Sequence, residues 1–153
     1  MLVIRGGVVL DEKTPPALGT QLVRFVSYFA VLTNLLVAVT TTSLVLGQDR
    51  LPTWWKVLRL YAVVGITVTG LVHWFLLRPL LDLSGADHLA DKLLHVVIPL
   101  LAVIGWGVFG PRDKADRRLL LPSLIYPVGW LVHTLVSGSI AGWYPYPFLD
   151  VAL

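Results

Sequence analysis

The sequence predicts an all-α, polytopic transmembrane helix bundle, and three observations carry that expectation. The 153-residue chain is 56% hydrophobic and only 14% charged, with a mean hydropathy of +0.78, whereas soluble domains carry roughly 25% charge. The charges are bunched, so residues 25–47, 60–77, 93–111 and 119–149 hold no Asp, Glu, Lys or Arg. None of these stretches alternates as barrel strands do, and only helices or closed barrels satisfy their backbone groups in lipid.

Taken in order, the first 24 residues read as an extracytoplasmic loop. Arg5, Gly6 and Gly7 break its apolar runs and a polar DEKTPP stretch follows, which is unlike a signal peptide. Four spans are expected over residues 25–46, 60–77, 93–110 and 119–138, together forming one transmembrane domain from 25 to 153. Each approaches the roughly 17–25 residues that cross about 30 Å of hydrocarbon. The tail GWYPYPFLDVAL, rich in Trp, Tyr and Pro, suits an interface. Pro99 and Pro122 are expected to kink their helices.

Cysteine is absent, which excludes disulfides and thiolate metal sites. The basic residues flank apolar segments, where they meet lipid headgroups and form no nucleic-acid patch. Arg50, Lys56, Arg59, Arg112, Lys114, Arg117 and Arg118 fall in the first-to-second and third-to-fourth connections. The positive-inside rule therefore places those loops in the cytoplasm and both ends of the chain outside.

Polar side chains within the spans are costly and mark the interior of a bundle. The first span carries Thr33 and Asn34, the second His73, the third His95 preceded by Asp91, and the fourth His133. On the expected topology all lie in the outer half of the membrane. Small or polar residues form stripes: Ser27, Ala30, Asn34 and Thr41; Ala62, Gly65, Thr69 and His73; Tyr126, Trp130, His133 and Ser137. Such stripes let membrane helices approach closely and hydrogen-bond across the contact. The bland readings are helix–helix hydrogen bonding for Thr33 and Asn34, interior packing or gating for His73 and His133, and a solvated loop for His88. For Asp91–His95 the bland reading is a helix N-terminus with a snorkelling His, and for most Trp and Tyr residues an aromatic belt.

The chemical reading joins a hydroxyl, a base and an orienting acid. Thr33 would be the nucleophile, His95 its base, and Asp91, four residues before His95, would fix the imidazole tautomer. Asn34 would donate to an oxyanion, with His73 and His133 in support. Membrane lipids are the surrounding partners, and a lipid ester is the substrate class this set suits. No cofactor, metal ligand or nucleic acid is assigned, and oligomeric state is left open. Depth opposes the pairing: Thr33 lies roughly 13 Å beyond Arg24, but His95 only about 4–5 Å beyond Lys92, at 1.5 Å rise per residue.

The stretches RFVSYFAVLTNLLVA, DKLLHVVIPLL and WYPYPFLD resemble the bacterial Pr-six-Pr membrane proteins and, more remotely, the androgen-induced (FAR-seventeen-a type) proteins of animals. The resemblance implies six transmembrane helices, so the first and last would be missing from this chain, and it implies a bacterial inner membrane. The animal proteins are threonine hydrolases of fatty acid esters of hydroxy fatty acids. By motif, Thr33 takes the nucleophile's place and His95 the histidine's, whereas Asp91 stands where those proteins tend to carry an amide. Two alternatives stay open: a metal or haem held by His73, His95 and His133, and a non-catalytic structural or transport subunit.

Overall fold

In the computed structural model the described residues are 16–47, 52–81, 83, 85–110 and 122–150, and all their regular structure is helical. The elements are α1 (Leu18–Ser27), α2 (Phe29–Val45), α3 (Thr53–Val72), α4 (Gly85–Lys92), α5 (Ile98–Phe109) and α6 (Ile125–Ala141). Two π-helical turns, His73–Leu77 and Leu93–Val97, extend α3 and join α4 to α5. Two helices are long and apolar enough to cross a membrane, Trp54–Leu80 with 27 residues and Gly85–Phe109 with 25. A third crossing exists if α1 and α2, bent by 72° at Tyr28, count as one span. Helix α6 is apolar but has 17 residues. The four expected spans are thus supported as two or three candidates plus one shorter apolar helix.

The boundaries differ from expectation where the backbone is interrupted. The first span breaks at Tyr28, which is extended, and Leu18–Ser27, expected to lie mainly in the N-terminal loop, is helical. Along α1, Leu18, Leu22 and Val26 form an exposed apolar stripe while Gln21 and Arg24 are less exposed. A stripe of that kind on a helix bent away from a span suits a position along the headgroup boundary. The third span begins eight residues early, at Gly85, because GADHLADK is helical and not a loop. The start expected for the fourth span, and the Arg112–Arg118 cluster used for orientation, lie outside the described residues.

Helix α3 is the hub. Its buried stripe, Ala62, Gly65, Ile66, Thr69 and His73, matches and extends the expected one. A Cβ on Gly65 would lie 2.8 Å from Thr33 Cγ2 and 3.2 Å from Tyr126 Cε1, so glycine lets α2 and α6 close on α3 here. A Cβ on Gly70 would lie 3.2 Å from Pro99 Cβ and 3.3 Å from the His95 carbonyl oxygen, which marks the α3–α5 contact. The other two stripes are rotated from expectation. On α2 the buried residues are Phe29, Thr33, Thr40 and Ser43, with Thr41 exposed. On α6 they are Thr134 and Gly138, with His133 exposed.

The tail belongs to the packed interior and not only to an interface. Tyr146 is buried, packs edge-on against Tyr28 and lies 5.8 Å from Trp130 between ring centroids. Its hydroxyl accepts the Ala30 N–H at 3.3 Å, and the Trp130 indole donates to the Ser27 carbonyl at 3.0 Å. These bonds engage backbone groups released by the break at Tyr28, which in lipid have no water to turn to.

Candidate functional site: a His–Asp–His cluster

Both π turns stand two to six residues before a proline, Pro79 and Pro99. Proline lacks the N–H that closes an α-turn and its ring presses on the carbonyl four residues earlier. Widening to i→i−5 accommodates this: Arg78 N–H bonds the His73 carbonyl and Ile98 N–H bonds the Leu93 carbonyl. Single π turns inside α-helices concentrate at functional sites. Here one starts at His73 and the other has His95 at its centre.

The two turns bring three titratable side chains together. His73 Nε2 lies 3.2 Å from Asp91 Oδ2, and His95 Nδ1 lies 3.0 Å from Asp91 Oδ1. The imidazoles stack with centroids 4.2 Å apart and planes 11° from parallel. Nitrogen and oxygen donors of all three residues lie within 4.8 Å of one another. His73 is 1% exposed, His95 19% and Asp91 10%.

The hydrogen bonding is lopsided. His95 Nδ1 is served by the Asp91 carboxylate and also lies 3.2 Å from the Asp91 carbonyl. His73 Nε2 has the Asp91 carboxylate as its neighbour at 3.2 Å, without a well-formed hydrogen bond, and its buried Nδ1 has no hydrogen-bond partner among the described residues. An unsatisfied buried polar group costs on the order of 1–3 kcal/mol, so the contact with the Asp91 carboxylate is what offsets the burial of Nε2, while Nδ1 has nothing in its place.

The expected catalytic set divides between two places. Asp91 and His95 meet as anticipated, and His73, expected to support, shares their carboxylate. Thr33 is fully buried beside Gly65, where its hydroxyl donates to the Phe29 carbonyl and lies 3.5 Å from the Tyr126 hydroxyl. Gly65 and His73 are eight residues apart on α3, a rise of about 12 Å at 1.5 Å per residue. The depth mismatch seen in the sequence therefore persists between Thr33 and the imidazoles. Asn34 donates its amide to the Ala30 carbonyl at 2.8 Å, leaving Oδ1 buried without a partner. His133 is exposed and meets Ser137 at 3.4 Å, outside the cluster.

His88 also differs from its expected solvated loop. It is half-buried on α4 and lines, with Arg78, Leu81, Leu83 and Asp91, a cleft of about 100 Å³ beside the cluster. The separation of His73 and Asp91 in sequence hid their contact. The one available signal was that His73 ends the small-residue stripe facing the neighbouring helices.

Fold and site together define a class: two or three candidate transmembrane helices suggest a multi-pass membrane protein, with a buried His–Asp–His group where two of them meet. No family model matches the chain, and neither a curated protein nor a solved structure matches it.

Proposed function

We propose that this multi-pass membrane protein binds a divalent first-row transition-metal ion through His73, Asp91 and His95. The observation that carries this reading is the convergence of His73, Asp91 and His95, whose donor atoms lie within 4.8 Å of one another, with His73 buried and contacting the same carboxylate as His95. Two imidazoles and a carboxylate are a donor set used for catalytic zinc and for non-haem iron, and three protein ligands leave a position for water or substrate. A cation would also compensate the Asp91 carboxylate, which is 10% exposed and largely withdrawn from water. This replaces the trio of His73, His95 and His133, because His133 lies apart and Asp91 stands in its place.

The test is elemental analysis of the full chain purified in mild detergent, followed by zinc titration after chelation. About one metal per chain is expected, with occupancy lost in His73→Ala and Asp91→Asn. A well-folded wild type that holds no metal and is not stabilised thermally by added zinc or ferrous iron would refute the proposal.

The threonine lipid-ester hydrolase remains a second proposal, supported by the LTN, DKLLH and WYPYPF resemblance and by the burial of Thr33 beside the Tyr126 hydroxyl. It requires Thr33 to leave the Phe29 carbonyl and to be brought to His95, from which it stands apart. Labelling by a hydroxyl-reactive phosphonate probe that disappears in Thr33→Ala and in His95→Ala supports it. Labelling indifferent to both excludes it.

A further inference from the structure

We infer that the cleft beside the cluster is an anion subsite, in which an oxyanion of the phosphate or carboxylate class bridges Arg78 to the metal held by His73, Asp91 and His95. The inference rests on the metal proposal and adds a ligand to the same site.

The cleft measures about 100 Å³ and is lined by Arg78, Leu81, Leu83, His88 and Asp91. One water needs roughly 10–15 Å³ of such space, so a group of several heavy atoms fits. Asp91 belongs both to the cleft wall and to the cluster, so a ligand in the cleft adjoins the metal donors. Arg78 is exposed, with its guanidinium 4.9 Å from the Trp74 ring centroid, and among the described residues it forms no ion pair. A cation–π contact restrains the guanidinium without using up its N–H donors, which a bidentate oxyanion can accept. His88 also lines the cleft.

Position and charge point the same way. Arg78 lies in the last turn of the span that ends at Leu80, the depth at which lipid headgroups meet a helix end. Leu81 and Leu83 give the cleft an apolar flank. Without a metal, the Asp91 carboxylate repels an anion from the cleft. A divalent ion on the cluster reverses that sign, and Arg78 then adds to the attraction. Anion and metal are therefore coupled: each must tighten the other by the same factor.

The experiment uses the full chain, stripped by chelation, with zinc titrated calorimetrically under two conditions. In neutral detergent, methyl phosphate is added at increasing concentration. In nanodiscs, neutral phosphatidylcholine is compared with phosphatidylcholine containing phosphatidylglycerol. Zinc affinity is expected to rise about tenfold or more, within the usual 5–150-fold range of coupling, in at least one arm. A rise with methyl phosphate identifies a free oxyanion as sufficient, and a rise confined to phosphatidylglycerol identifies a lipid headgroup. Arg78→Gln should abolish the rise while leaving zinc affinity without anion within about twofold, and Arg78→Lys should restore part of it. Zinc binding indifferent to both anions, or coupling that survives Arg78→Gln, overturns the subsite and leaves the metal proposal standing. Absence of zinc binding overturns both.

Discussion

The aromatic closure at Tyr28 and the cluster at Asp91 solve the same problem in opposite ways. Each surrounds a helix irregularity with polar groups removed from water. At Tyr28 the helix breaks by 72°, and the Trp130 indole and Tyr146 hydroxyl take up the Ser27 carbonyl and the Ala30 N–H. Phe29, Tyr126, Trp130 and Tyr146 fill the space with rings 5–6 Å apart. At Asp91 two π turns leave the helices running, yet His73 has no well-formed hydrogen bond on either ring nitrogen, its Nε2 only approaching the Asp91 carboxylate. A membrane interior has no water to repair such a deficit. Completed bonding at the first region suits an architectural role, and the incomplete bonding of His73 at the second is what the proposed metal ion would complete.

Substitutions separate the two regions, the largest effect coming from the cluster. Asp91→Ala removes the donor shared by both imidazoles and should lower metal affinity by more than about 100-fold, beyond the 10–100-fold typical of losing an outer-shell partner. Elemental analysis and zinc calorimetry check this. Its helix should survive, since Asp91 sits in a turn of α4 that α5 continues.

Gly65→Leu should leave metal affinity within about twofold but disrupt the α2–α3 crossing, costing on the order of 1–3 kcal/mol for overpacking. The added side chain has Thr33 2.8 Å away at its first carbon. A reduced midpoint in a detergent unfolding titration is the readout. Unchanged stability would mean that the Gly65 contact is not tight.

Tyr146→Phe keeps the ring packing and deletes the acceptor for the Ala30 N–H, with an expected loss of about 1 kcal/mol. Metal content should be unchanged; if it fell, the two regions would not be independent. The smallest effect is its pH dependence. Burial pushes the Tyr146 phenol above the ordinary value of 10.0, so the neutral form is favoured in the folded chain. Its contribution is complete below about pH 10 and declines as pH rises through the higher folded value. Stability measured from pH 9 to 11 should fall less steeply in Tyr146→Phe than in wild type.

How much was legible depended on the range of each interaction. The α3 stripe was readable because Ala62, Gly65, Thr69 and His73 repeat at helical spacing, and Asp91–His95 because four residues on a helix bring side chains face to face. The α2 face was misread: Asn34 and Thr41 are as polar as Thr33 and Thr40, and only the packing of α2 on α3, with Thr33 against Gly65, selects the latter pair's face. His133 looked equivalent to His73 and His95 because residue type carries no direction. The break at Tyr28 leaves no proline or glycine as a sign, since its partners lie more than a hundred residues onward.

The sequence alone determined that this chain is helical and suited to a membrane, because hydropathy and charge spacing act through solvent and need no partner. It also determined that Asp91 and His95 adjoin, because that contact is local. Tertiary structure decided the rest of the site. Only the packing of α5 against Gly70 of α3, with a π turn ahead of each proline, carries His73 onto the carboxylate that His95 already shares. Only the closure of α2 onto Gly65 holds Thr33 away from it.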